Sequence, residues 1–321
     1  MSSILAVTAP FFALVLCGYL AAHRHVLPES AIPGLNAFVL YFALPCMLFR
    51  FGAGTPVLQT LNPTLLVVYL LCSLVMVGFT IAVTLGPEVP LKDAAFGALV
   101  AAFPNTGFMG VPLLVALLGP AAAGPAICTI TADLVITTTL CLALAEAQGA
   151  SGQGMALAAR RILVGVARNP MPWSIALGAL CSALGWQLQG PVDTIVRMLA
   201  DAASPVALFT IGAVLWRAGR HAHTRTPVGR FLPVALIKLL LHPLLVLLVG
   251  VAARQLGAPL PDFALMVIVL VAALPSASNV SILAERYGAD NGRVARIIMS
   301  STVLAFITFT AMAWLFGVRP D

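Results

Sequence analysis

The sequence predicts an all-α polytopic membrane protein of ten transmembrane helices, arranged as an inverted 5+5 repeat in which helices four and nine are broken and cross. Three observations lead there. Of the 321 residues, 61% are hydrophobic and only 9% are charged, far from the roughly 25% charged of a soluble domain. Ten apolar segments match the roughly 20 residues that a bilayer core requires of a helix, and they use nearly the whole chain. Proline falls at matched places in the two halves, inside segments where it interrupts helical hydrogen bonding.

Taken in order, the segments cover about 3–22, 33–53, 63–86, 91–118, 121–146, 170–188, 192–216, 229–253, 260–286 and 293–317. The first ends in small residues, Leu20-Ala21-Ala22, as a signal peptide would. It has no basic stretch before it and its apolar run is too long, so it is expected to be a span. Connections are short except 147–169 and 217–228. The first of these, with Arg160, Arg161 and Arg168 among apolar residues, is expected to form a short amphipathic helix on the membrane surface. The chain divides accordingly into a first five-helix repeat (1–147), a cytoplasmic loop (148–169) and a second, inverted repeat (170–321).

The net charge of +6 reflects membrane topology rather than nucleic-acid binding. Loops after odd-numbered segments carry 12 Lys and Arg residues and the other side carries 4. The positive-inside rule then makes the odd loops cytoplasmic and puts both termini on the outer face of the inner (plasma) membrane.

The repeat is read from two pairs of segments. Phe42-Ala43-Leu44-Pro45-Cys46-Met47-Leu48-Phe49 in segment two parallels Ala202-Ala203-Ser204-Pro205-Val206-Ala207-Leu208-Phe209 in segment seven. Ala101-Ala102-Phe103-Pro104 in segment four parallels Ala272-Ala273-Leu274-Pro275 in segment nine, and polar residues follow each proline. The partners are 160 and 171 residues apart. Five spans separate them, an odd number, so the two repeats have opposite orientations, as in secondary transporters.

Segment four holds Pro104, Asn105, Thr106, Gly107 and Pro112, a combination that opens a helix in mid-membrane. Freed backbone is tolerated there only where it packs on protein or lines a cavity. Asn105 and Thr106 are residue types that cap a helix start by accepting backbone N–H bonds. Segment nine repeats the pattern at Pro275, Ser276, Ser278, Asn279 and Ser281. Two half-helix starts approaching from opposite sides present positive dipole ends, which suits an anionic solute such as a carboxylate. The simpler alternative is a kinked helix whose polar residues satisfy its own freed carbonyls.

Charges within the segments are few, and each is a functional candidate because an unpaired charge in lipid is expensive. Asp133 is a candidate proton-coupling carboxylate. Lys238, one turn from His242, is a candidate partner for an anionic substrate. They equally allow a mutual pair, or a lysine reaching to the interface. Sodium coordination by several oxygens including a carboxylate finds no acidic residue in either break. His221 and His223 lack acidic or Cys partners, and the six cysteines show no metal spacing, so neither a metal nor another cofactor is expected. No paired aspartate, Ser-His pair or His-rich site stands at membrane depth, which argues against an intramembrane enzyme.

Three separated motifs carry a family resemblance. Pro104-Asn105-Thr106 followed by Met109-Gly110-Val111-Pro112-Leu113-Leu114 is similar to the PNT...MG[IV]PLL crossing segment of the auxin efflux carrier family, which includes plant PIN-type carriers and bacterial malonate or malate permeases. Leu35-Asn36-Ala37-Phe38-Val39 with Phe42-Ala43-Leu44-Pro45 resembles its N-x-F-V...F-A-x-P pattern. Ala273-Leu274-Pro275 with Val280, Ala284 and Tyr287 resembles its A-L-P-x4-V-x3-A-x2-Y pattern. The resemblance implies a scaffold of spans one, two, six and seven, and a transport domain of three, four, five, eight, nine and ten that moves like an elevator. Pro104, Asn105 and Pro275 match family positions. The long hydrophilic central loop of the plant carriers is missing, which favours a bacterial organic-anion permease. A solute sensor or a channel on the same scaffold is the alternative function. The expected partners are a small organic anion and the lipid bilayer, with no nucleic acid; a homodimer fits the resemblance and the apolar scaffold surface.

Overall fold

The computed structural model describes residues 2–54, 62–147, 170–220 and 226–318. The expected surface helix around Arg160, Arg161 and Arg168, and the pair His221 and His223, lie outside these residues. The described chain is helical throughout, without a β-strand. Its helices are α1 (Ser2–His23), α2 (Ile32–Phe38), α3 (Leu44–Gly54), α4 (Pro63–Thr84), α5 (Leu91–Ala102), α6 (Val111–Leu118), α7 (Ala123–Ala132), α8 (Thr138–Ala147), α9 (Pro170–Ala183), α10 (Gly190–Arg220), α11 (Val228–Leu236), α12 (His242–Gln255), α13 (Asp262–Ala272), α14 (Val280–Arg286) and α15 (Asn291–Leu315).

Among the described residues, seven helices are long and apolar enough to cross a membrane: Ser3–His23, Glu29–Gly54, Pro63–Thr84, Pro120–Ala147, Gly190–Arg217, Val228–Gln255 and Asn291–Leu315. Three expected segments are represented by shorter apolar helices, Thr106–Leu118, Trp173–Ala183 and Asp262–Ala272. In the fourth and ninth segments the cause is an interruption of the helix at the proline.

Four wide, i→i+5 turns punctuate the long helices, at Val39–Ala43, Thr106–Gly110, Asp133–Thr137 and Ile237–Leu241. Three of them end two residues before a proline: Pro45, Pro112 and Pro243. Proline lacks an N–H and clashes with the carbonyl one turn back, and a widened turn relieves both problems without unwinding the helix. The turn at Asp133 has no proline. There the Asp133 carbonyl accepts from both the backbone N–H and the hydroxyl of Thr138, the hydroxyl at 2.8 Å. Elsewhere, hydroxyls fold back on their own helix in the way lipid demands, as with Thr302 to Ile298 O at 2.7 Å.

Among the described residues, two helix pairs bring backbone against backbone closely enough to need glycine. A Cβ on Gly18 of α1 would collide with the Phe209 carbonyl of α10, and one on Gly212 with the Val15 carbonyl. In α3 and α9 the same arrangement recurs: Gly178 faces the Phe49 carbonyl, and a Cβ on Gly52 would lie 2.9 Å from the Ile175 oxygen. Each glycine and each carbonyl in one seam has its counterpart 160 residues away in the other. α10 also packs on α3, so these helices form one group.

α5 and α13 lie at the centre, with Ala94 to Ala102 buried without exception. Arg293, only 2% exposed, braces the ends of three helices by donating from Nη1 to Asp93 O at 2.8 Å and from Nε to Arg230 O at 3.0 Å. Gly97 makes room for that guanidinium; a Cβ there would sit 2.8 Å from Nη1.

Candidate functional site

α5 stops at Ala102 because Phe103 turns extended (φ −97°, ψ 103°) ahead of Pro104, the conformation that a following proline favours. α13 stops at Ala272, and α14 begins only at Val280, after Pro275. The two interruptions run antiparallel past one another, with Pro104 opposite Ser276. Asn105 N donates to Pro275 O at 2.8 Å, and Ala277 N donates to Phe103 O at 2.9 Å. Each break thus supplies partners for the backbone that the other has freed, which is what makes two interruptions affordable in mid-bundle. Ser276 N is held by Ser301 Oγ of α15 at 3.1 Å. Gly110 is needed where the breaks pack, since a Cβ there would strike Leu274.

Capping at the breaks differs from the expectation. Asn105 stands at the start of the Thr106–Gly110 turn, but its side chain makes no cap bond. Its carbonyl takes Met109 N at 3.1 Å and Gly110 N at 2.9 Å, and its Oδ1 is buried without a partner. Thr106 is fully buried, and its Oγ1 lies 3.5 Å from Pro104 O. Asn279 likewise precedes α14 without a cap bond, and its Oδ1 and Ser276 Oγ are also buried and unpartnered. Neither Asn has the extended backbone of a capping residue, with φ −77°, ψ 54° at Asn105 and φ −66°, ψ −18° at Asn279. Among the described residues, the N–H groups of Gly107, Phe108, Ser278 and Asn279 have no backbone acceptor.

Beside the crossing is a small cavity lined by Asn36, Phe108, Ala207, Thr210, Ile211, Val214, Ser278, Asn279 and Ile282. About 10 Å³ is free in it, room for about one water. One wall comes from α2 and α10 and the other from the two breaks. Of the expected site residues, Ser278 and Asn279 line the cavity, while Pro104, Asn105, Thr106, Pro275 and Ser276 form the crossing next to it. Asp133 and Lys238 are in neither place.

Those two charges occupy a separate buried polar cluster, each in one of the wide turns. Asp133, fully buried, accepts from Tyr69 Oη at 2.8 Å and Thr137 Oγ1 at 3.2 Å. Lys238, equally buried, donates to Ala272 O at 2.7 Å and lies 3.0 Å from His242 Nδ1. The Tyr69 and His242 rings, 5.9 Å apart, bring the two groups side by side. Lys238 therefore neither reaches the interface nor comes within ion-pair distance of Asp133. It binds the C-terminal carbonyl of α13, where a cation complements the negative end of the helix. Among the described residues, no three His, Cys, Asp or Glu side chains converge as a metal site.

A family model described as "Membrane transport protein" matches residues 3–313, nearly the entire chain. The chain belongs to this family, the auxin efflux carriers. A Rhizobium meliloti (strain 1021) protein provisionally named a malonate transporter is 30% identical over 318 residues, covering 98% of this chain and 96% of its own. The uncharacterized transporter YfdV of Escherichia coli (strain K12) is 27% identical over 315 residues, with coverage of 97% and 96%. Auxin efflux carrier component 8 of Arabidopsis thaliana is 21% identical over 368 residues, 97% of each chain.

In this auxin efflux carrier chain, Asn36, Phe108 and Thr210 at the cavity and Tyr69 beside Asp133 were not among the expected site residues. Asn36 did carry a signal, because an amide in an otherwise apolar segment needs a partner. Thr210 carried none, since a threonine in a membrane helix ordinarily bonds its own backbone, as this one does to Val206 O at 2.6 Å.

Proposed function

We propose that the chain is a secondary carrier for an organic anion, a carboxylate such as malonate, malate or an auxin-like acid, bound where the two breaks cross. The observation that carries this reading is the crossing itself. Two interruptions satisfy each other's backbone yet leave Asn105, Ser276 and Asn279 with unpartnered buried oxygens beside a cavity. Buried polar groups nearly always have partners, so a group of unsatisfied ones calls for a ligand or water. The free N–H groups of Gly107, Phe108, Ser278 and Asn279 suit a carboxylate, and the Asn amides can turn either their oxygen or their NH₂ toward it. The positive end of the Thr106–Leu118 helix adds to the attraction. The names of the Rhizobium and Arabidopsis relatives support an organic acid.

The ten segments form an inverted 5+5 repeat, 1–147 and 170–321, joined by the loop 148–169. The 160-residue offset shared by Pro45 and Pro205 and by the glycine seams supports it, as does the 171-residue offset of Pro104 and Pro275. α1, α2, α3, α9 and α10 make a static scaffold, and the remaining helices move against it as an elevator. The cavity is walled by both groups and holds only about one water, so admitting a solute requires the walls to part. Asp133 is the candidate coupling carboxylate, and Lys238 fixes the charge at the end of α13. The protein sits in the inner membrane as a homodimer with both termini outside.

Purified protein in liposomes should take up labelled malonate or malate saturably, which separates a carrier from a channel. Asn105→Ala should lower that uptake at least tenfold, by loss of a hydrogen bond to a charged ligand. Its melting temperature should stay at the parent value, because Asn105 Oδ1 has no protein partner to lose. Equal uptake by parent and variant would refute the site.

A further inference from the structure

The break after α13 frees a carbonyl that its own backbone does not fill. Ala272 ends the helix, and Ser276 N, which would bond Ala272 O if the helix ran on, is held by Ser301 Oγ instead. The ammonium of the fully buried Lys238 takes that place, 2.7 Å from Ala272 O. An ammonium has donors only, so its second contact, 3.0 Å from His242 Nδ1, makes that nitrogen an acceptor and leaves the imidazole neutral with its hydrogen on Nε2. His242 Nε2 is buried without a partner. Asp133 stands beyond the Tyr69–His242 contact and has two hydroxyl donors of its own.

Buried charges are ordinarily in contact with an opposite charge. The Lys238 ammonium instead faces the negative end of a half-helix and a neutral nitrogen. Carbonyls at the C-terminal ends of interrupted helices are where secondary carriers hold the cations that accompany their solutes. We propose that Lys238 is a tethered stand-in for such a cation, so that the carrier works without binding a free metal ion, and that shortening this side chain opens a site for a small primary ammonium ion. This rests on the carrier reading above and assigns its ion dependence. The cation stays bonded to the chain, so the end of α13 keeps its counter-charge whether or not a solute is bound.

Liposomes carrying the parent protein should take up labelled malonate or malate equally in sodium, potassium or choline chloride. In Lys238→Ala, uptake in choline should fall about tenfold, and methylammonium in place of choline should restore it at least about threefold. Choline carries no N–H and so cannot donate to Ala272 O or His242 Nδ1. Methylammonium should also raise the melting temperature of Lys238→Ala in detergent while leaving the parent's unchanged, since only the variant has room to bind it. Lys238→Met, whose side chain fills the space, should lose uptake and gain nothing from the amine. If Lys238→Ala does not fold, Lys238→Gln decides, because it keeps a neutral donor without the charge; its uptake should fall about tenfold. Parent uptake that requires sodium overturns the proposal. So does a folded Lys238→Ala whose uptake and melting temperature both ignore methylammonium, or a Lys238→Gln that transports like the parent. A parent that moves neither acid in any salt overturns the carrier reading instead, and the melting temperatures then decide the cation site by themselves.

Discussion

At the seams between α1 and α10 and between α3 and α9, backbones meet because glycine removes the side chain. At the crossing they meet because proline removes the helix. In the seams the helices run on without a break and the neighbouring carbonyl rests against a bare Cα. The crossing gives up helical bonds on both strands, recovers two of them between the strands, and leaves polar oxygens unpartnered. On the proposed reading, the difference separates what holds the protein together from what meets the solute. A seam has no room for added atoms and no polar group to offer a ligand, while the crossing has unused hydrogen-bonding capacity whose removal should leave the fold intact.

Gly18→Ala should produce the largest structural effect, because the added methyl meets a backbone carbonyl that no rotamer change can move. Overpacking of this kind typically costs about 1–3 kcal/mol. Gly178→Ala, its counterpart 160 residues on, should cost about as much. Both would be read as lowered melting temperatures in detergent, with transport per folded molecule little changed. A large penalty at one seam and none at the other would break the equivalence of the two seams and weaken the case for an inverted repeat.

Lys238→Met comes next and probes the ground between these extremes. The variant removes the donor to Ala272 O while keeping an unbranched side chain. A bond from a charged group contributes about 1.5–3 kcal/mol, so a lower melting temperature is expected. The α13 end of the crossing loses its anchor, so malonate uptake should also fall. Loss of uptake at full stability would instead make Lys238 a substrate ligand, contrary to its position away from the cavity.

What was legible in the sequence follows the same division. Pro104 and Pro275 announce the breaks because proline imposes its geometry locally, and the polar residues after them are conspicuous in an apolar chain. The destination of those polar side chains was not legible. Asn105 and Asn279 look like caps, but their backbone is not in the extended conformation of a cap, and the pairing of the two breaks is a tertiary event with no local trace. Asp133 and Lys238 allow separate functional roles, a mutual pair or a lysine at the interface, whereas the end of α13 claims the lysine. The glycine seams were invisible for a similar reason: Gly18 and Gly212 matter only once it is known that α1 lies against α10. Asn36 belongs to the motif in segment two, but no nearby break marks it, and only the folded chain places it at the cavity.

Thr210→Val should have the smallest effect and sharpens the contrast between the α10 wall of the cavity and the crossing. Valine matches threonine in shape, and the hydroxyl hydrogen it removes is already committed to Val206 O within α10. That carbonyl keeps its place in the helix without it, so stability should shift by less than about 0.5 kcal/mol. A carboxylate needs donors, and Thr210 has none to spare, so malonate uptake should change less than threefold. A loss of about tenfold or more would mean that the hydroxyl turns away from its helix to meet the substrate, and the α10 wall would then contribute a polar contact.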